Sequence, residues 1–140
     1  MNFRKAAIKD IKACSKLSRV PQISYAYKSS DKENFEYFKL FLEKGFIVVA
    51  EHENEVIGFA CAEKMYIGDF AWIDAIVVKK DFRGKGAGRG LFNKLKDEIK
   101  KEKIGNVYLV APTLEKSTIE FYESLGFKRG NKCIEFYKEL

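Results

Sequence analysis

Residues 83–90 read Arg83-Gly84-Lys85-Gly86-Ala87-Gly88-Arg89-Gly90, directly after the apolar run Phe70 to Val78 and directly before Leu91, Phe92, Leu95 and Ile99, which recur at helical spacing. Glycines at that density let the backbone turn tightly and aim successive N–H groups at one point, and the N-terminus of the following helix adds partial positive charge. Arg83, Lys85 and Arg89 add full charges. A pyrophosphate fits such a turn, and the strand and helix on either side weigh against a basic turn with no ligand. Two nucleotide classes are disfavoured by the residue types. A Walker loop continues Gly-Lys with Ser or Thr, whereas Gly86 follows Lys85 here. A dinucleotide fingerprint counted from Gly84 and Gly86 needs a third small residue at position 89, which is Arg89.

Other reactive side chains are few. Asp74 interrupts the apolar stretch Ala71-Trp72-Ile73-Asp74-Ala75-Ile76, where a carboxylate is costly unless it is paired or faces a cavity. Glu63 ends the neighbouring apolar run. Cys14, Cys61 and Cys133 are odd in number and lack a Cys-x-x-Cys spacing, so they read as reduced core thiols and not as a disulfide framework or metal site. The single histidine, His52, lies in the acidic turn Glu51-His52-Glu53-Asn54-Glu55, a poor start for a zinc site. No metal is expected.

The elements that must position these groups can be read along the chain. A strand near Phe3 to Ala7 precedes a helix that Asp10 can cap, with Ile11, Cys14 and Leu17 on one face and Pro21 beyond its end. Val20 to Ser29 reads as a loop holding Tyr25 and Tyr27. Ser30 and Glu33 form a capping box for a second helix, through Phe35, Phe38, Phe41 and Leu42 to Gly45. Phe46 to Glu51 and Val56 to Glu63 make a hairpin, and Phe70 to Val78 a third antiparallel strand. A helix from Gly88 to Lys103 then crosses over to a parallel strand at Val107 to Ala111. Ser117 and Glu120 suggest another capping box, for a helix ending at Leu125, with Gly126 as its left-handed cap and Phe127 as the apolar contact. Phe127 to Arg129 and Cys133 to Tyr137 read as a closing hairpin about Gly130-Asn131.

At 140 residues, with hydrophobic residues at 46% and no repeat, the chain reads as one domain, 1–140, able to bury a core. The net charge of +6 favours an anionic ligand. A nucleic-acid partner is not expected, because the lysines cluster at a helix C-terminus without a recognition motif. No window approaches about 18 consecutive apolar residues and no signal-peptide pattern opens the chain, so a cytoplasmic protein without a membrane partner is expected.

Arg83-x-x-Gly86-x-Gly88 resembles the Gln/Arg-x-x-Gly-x-Gly/Ala motif of the GNAT superfamily of N-acetyltransferases. Ile76-Val77-Val78 stands where that family has its pantetheine-binding strand. Glu120-Phe121-Tyr122-Glu123-Ser124-Leu125-Gly126-Phe127 is similar to its second signature, and the opening Phe3 to Ile11 to its first strand and helix. The resemblance spans essentially the whole chain. It implies an α/β (α+β) fold with a mixed, mostly antiparallel sheet of about seven strands, splayed between strands 4 and 5 and flanked by about four helices.

The resemblance further implies acetyl-CoA as cosubstrate in that gap, its pantetheine on Ile76, Val77 and Val78. Its pyrophosphate would lie on Arg83, Gly84, Lys85, Gly86, Ala87, Gly88 and Arg89. It gives Tyr122 the role of protonating the departing thiolate; packing beside Phe121 and Leu125 is the alternative for that ring. An ammonium acceptor must lose a proton before it attacks, and Asp74 or Glu63 can take it, directly or through water. A covalent cysteine intermediate is not favoured. The implied reaction is transfer of acetyl to a primary amine of a small molecule, peptide or protein. The alternative is a non-catalytic acyl-CoA-binding or regulatory module of the same fold, and a homodimer is compatible with either.

Overall fold

A computed structural model describes residues 1–20 and 29–140. Most of the expected loop Val20 to Ser29, with Tyr25 and Tyr27, and Pro21 lie outside them. The described residues form two compact units, Met1–Leu109 and Val110–Leu140.

The first unit runs β1 (Asn2–Lys5), α1 (Ile11–Leu17), α2 (Asp31–Lys44), β2 (Phe46–His52), β3 (Glu55–Lys64), β4 (Phe70–Val78), α3 (Ala87–Lys101) and β5 (Asn106–Tyr108), with 3-10 turns at Ile8–Asp10 and Lys80–Phe82. The five strands stand in sequence order, antiparallel from β1 to β4, and β4 pairs with β5 in parallel. The β2–β3 turn is made by Glu53 and Asn54, both at positive φ. That backbone matches the twist of a two-residue hairpin.

Alternation along the strands gives the sheet two apolar faces. On one, Ile47, Val49, Phe59, Cys61, Ala75 and Val77 pack with Ile11 and Cys14 of α1 and Phe38 and Phe41 of α2. On the other, Gly58 leaves room for Leu91 of α3, whose Leu95 and Ile99 are also buried. Arg4 ties the N-terminal elements together, donating to Asp10 at 2.7 and 3.0 Å and to Glu51 at 2.6 Å. The Asp10 carboxylate also accepts the Ala7 N–H at 2.8 Å, so its capping bond serves the 3-10 turn before α1 and not α1 itself. At α2 the expected capping box is present: the Glu33 carboxylate accepts the Ser30 N–H at 2.7 Å, and Ser30 Oγ accepts the Glu33 N–H at 3.2 Å.

The second unit contains α4 (Lys116–Ser124). Gly126, at φ 92°, ends it, with the Phe127 N–H reaching the Tyr122 carbonyl at 3.2 Å. The Ser117 and Glu120 box is a correction: α4 begins two residues earlier than that box would start it, and its N-cap is Glu115 with no side-chain bond. The closing hairpin is another. No strand follows Tyr108 among the described residues, which accounts for five strands instead of about seven. Ile134, Phe136 and Tyr137 are 81–90% exposed, and a two-stranded hairpin on its own is marginal in water. Cys133 is accordingly exposed, whereas Cys14 and Cys61 are buried as expected. Among the described residues no helix is long and apolar enough to cross a membrane.

Candidate active site

β4 is held differently on its two sides. Its ladder with β3 runs from Lys64↔Ala71 to Gly58↔Val78. Its ladder with β5 covers only Phe70↔Asn106, Ala71↔Val107 and Trp72↔Tyr108. Asp69 pins the base of that short ladder, accepting the Gly105 N–H at 2.9 Å while its carbonyl accepts from Asn106 Nδ2 at 3.0 Å. Beyond Trp72 no described strand pairs with β4 on that side, so the sheet opens there. Ile76 and Val78 are half-buried on this stretch and Val77 is buried in the core.

The open edge leads into the glycine-rich turn. Gly84 and Gly86 have φ of 72° and 83°, left-handed values that a side chain resists, and Gly86 is the N-cap of α3. Ala87, Gly88 and Arg89 form the first turn of α3, which carries no acidic residue and no side-chain cap. The contrast with α2 is informative, since α2 begins with Asp31 and Glu33 and a complete capping box. Helix N-termini leave backbone N–H groups without helical partners, so α3 offers donors and positive potential that its own sequence does not satisfy. Arg83 reaches back to donate its Nε to the Val78 carbonyl at 3.0 Å, and the Lys85 ammonium stands 5.5 Å from the Phe82 ring centre. Beside this turn a cleft of about 520 Å³ opens between α1, the start of β3 and the end of β4, lined by Lys16, Lys80, Arg83 and the ion pair of Lys79 with Glu55 at 2.7 Å. Lys16, Lys79 and Lys80 escaped sequence reasoning because scattered lysines resemble an ordinary solvated surface; only the Lys79-Lys80 pair directly after Val78 hints at them.

Asp74 is the extra residue of a β-bulge. The register passes from Cys61↔Ala75 to Ala62↔Ile73, leaving Asp74 without an opposite residue on β3. Its Oδ2 is buried with no hydrogen-bond partner among the described residues. Burial, reinforced by the Glu63 charge, lifts its pKa to about 7. The structure thus brings Asp74 and Glu63 within each other's field, with Glu63 the more exposed of the two. Glu63 also lines a cavity of about 260 Å³ between α2 and the end of β3, walled by Tyr37, Leu40, Phe41 and Tyr66, with Lys44 and Lys64 at its rim. The aromatic spacing of α2 was legible in the sequence, but Lys44 and Tyr66 belong to no motif. Cys61, buried beside this pair, has its thiol pushed well above the ordinary range by burial and by Asp74. Such a thiol is a poor nucleophile. Tyr122 belongs to the second unit, where its ring meets Phe121 and Phe127 at 5.3 and 5.7 Å.

The family model of the acetyltransferase (GNAT) family matches residues 10–127. The chain belongs to that family. An uncharacterized N-acetyltransferase of Methanocaldococcus jannaschii is 34% identical to this GNAT chain over 118 residues, 74% of this chain and 52% of that protein. The chain spans about half the length of the curated relatives it matches. The PaiA N-acetyltransferase from Thermoplasma acidophilum, solved in complex with coenzyme A, superposes with a TM-score of 0.76 at 20% identity, over 94% of this chain and 92% of that one. AAC(6')-Iy in complex with the bisubstrate analog CoA-S-monomethyl-acetylneamine superposes with a TM-score of 0.84 at 15% identity, over 99% and 98%. At those identities the likeness shows that the GNAT fold is shared.

Proposed function

We propose that the chain is an acetyl-CoA-dependent N-acetyltransferase, moving an acetyl group directly to a primary amine, and that both units serve this reaction as one domain. The observation that carries the reading is the edge of β4 left open beyond Trp72 and running into the uncapped start of α3. An extended ligand with amides at one end and phosphates at the other matches a bare strand edge followed by a cluster of N–H donors and cations.

In this reading the main-chain groups of Ile76, Val77 and Val78 meet the pantetheine amides. Gly84 to Arg89 hold the pyrophosphate, with Lys80 and Arg83 raising the local potential. Acetyl-CoA supplies the thioester. Glu63 or Asp74 takes a proton from the acceptor ammonium, freeing the nitrogen lone pair. The nitrogen then adds to the thioester carbonyl, the C–S bond of the tetrahedral adduct breaks with its electron pair leaving on sulfur, the Tyr122 phenol donates a proton to that sulfur, and the proton shed by the new amide nitrogen restores the phenol through water. The test is release of free CoA thiol from acetyl-CoA with a panel of amines and peptides, alongside calorimetric titration of CoA. Tight CoA binding with no thiol release on any acceptor would instead favour the binding-module alternative.

A further inference from the structure

The cavity beside Glu63 bears on the acceptor. Its walls are the apolar and aromatic faces of Tyr37, Leu40, Phe41 and Tyr66, and Glu63 is its one carboxylate among the described residues. Leu40 is 53% and Tyr66 87% exposed, and Ile67, next in the chain, is 88% exposed. Leu40 and Tyr66 therefore present apolar surface to water beside one carboxylate. Covering them with an apolar ligand removes that area from water.

Charge narrows the ligand further. Glu63 is the carboxylate these walls present, and its buried neighbour Asp74, whose pKa is lifted to about 7, adds little negative charge below that pH. Lys64 at the rim is neutralised by Glu102 at 3.0 Å, whereas Lys44 has no ion-pair partner among the described residues. One anionic charge suits one ammonium, and Lys44 repels a second. A polyamine or an aminoglycoside, whose cations need several carboxylates, meets only Glu63 on these walls among the described residues.

We propose that this cavity is the acceptor subsite and that it selects a primary monoamine on an apolar aliphatic or aromatic body over polycationic amines. The proposal rests on the acyl-transfer reading for the word acceptor, and on the cavity walls alone for the ligand class.

The test uses the whole chain saturated with acetyl-CoA and measures thiol release with 2-phenylethylamine, hexylamine, spermidine and neamine. The expected kcat/KM favours the two apolar monoamines by about tenfold or more. Leu40→Glu, on an exposed helix position, lowers that preference by about tenfold, chiefly through KM, and Lys44→Glu shifts it toward spermidine. Equilibrium dialysis of 2-phenylethylamine against the CoA-bound protein supplies a readout that needs no turnover. Preference for spermidine or neamine, or an unchanged preference in Leu40→Glu, overturns the proposal. If no amine releases thiol but 2-phenylethylamine binds and Leu40→Glu abolishes binding, the acyl-transfer reading falls and the ligand class stands.

Discussion

The ring of Phe3 fills the place that a side chain on Gly90 would occupy: a Cβ there would stand 2.1 Å from the ring Cζ and 2.5 Å from both Cε atoms. β1 and α3 approach each other at this point because residue 90 has no side chain. Gly90→Ala forces the Phe3 ring out of its partly buried seat. That loss outweighs the gain of about 1 kcal/mol in helix propensity, leaving a net destabilisation of about 1–2 kcal/mol. A lower urea midpoint at constant slope checks it, and Phe3→Ala in the Gly90→Ala background should recover part of the loss. An undiminished midpoint in the single variant would show that the ring yields freely.

Asp74 should make the protein weaken as pH rises toward neutrality. Its folded-state pKa is raised from 3.8 to about 7. Between those values the unfolded chain has released the proton and the folded chain still holds it, so stability falls with rising pH across that window. Asp74→Asn removes the dependence. It should stabilise the protein by about 1–2 kcal/mol at pH 8, a figure reduced for the carboxyl's remaining solvent access, and should have little effect near pH 4. Urea titrations at the two pH values measure the difference.

How far the sequence spoke for the structure is visible in two matching motifs. Ser30 and Glu33 cap α2 as their spacing predicts. Ser117 and Glu120 have the same spacing, yet the Glu115 carbonyl, brought round by a turn from Pro112, accepts the N–H groups of Thr118 and Ile119 and starts α4 two residues earlier. A capping box is a local device, and the chain entering the helix decides whether it is used. The glycine turn and the strand order were legible for the opposite reason: left-handed glycines and apolar periodicity act wherever they occur. The bulge at Asp74 was not, because one unpaired residue is a property of two strands together and leaves no mark on either alone.

Gly86→Val should separate the two ends of the cofactor site. Residue 86 has φ of 83°, where a β-branched residue is strained, although a Cβ there meets nothing within 4 Å. The variant should lose most of the calorimetric affinity advantage of CoA over pantetheine, while pantetheine itself binds as before. In the parent that advantage should shrink as salt is raised. Equal affinity of the parent for the two ligands would count against a phosphate site at this turn.

Tyr122→Phe should keep the fold and the affinity for CoA. Turnover should fall about ten- to a thousandfold, since only a proton donor is removed. The ring contacts with Phe121 and Phe127 survive the substitution, so circular dichroism should be unchanged. Unaltered turnover, with chemistry shown to be the slow step, would leave Tyr122 a packing residue.

The acidic limb of kcat/KM should identify the base. If Asp74 accepts the proton, Asp74→Asn abolishes a limb near pH 7. Glu63→Gln then moves the limb to lower pH, because the repulsion that helps raise the Asp74 pKa is gone. If Glu63 is the base, Glu63→Gln abolishes the limb instead. A limb retained in both variants assigns the proton to water or to an acceptor that arrives neutral.

The three-residue ladder that Asp69 pins between β4 and β5 gives one strand two kinds of amide. Those tied into pairing with either neighbour exchange with deuterated water only when the sheet opens, whereas those aimed at the open side beyond Trp72 exchange from the folded state. A ligand seated along that side would slow the second kind and leave the first alone. β4 is thus its own occupancy gauge: the pattern of deuterium uptake between Ile73 and Val78 distinguishes a filled cleft from an empty one without any measurement of turnover.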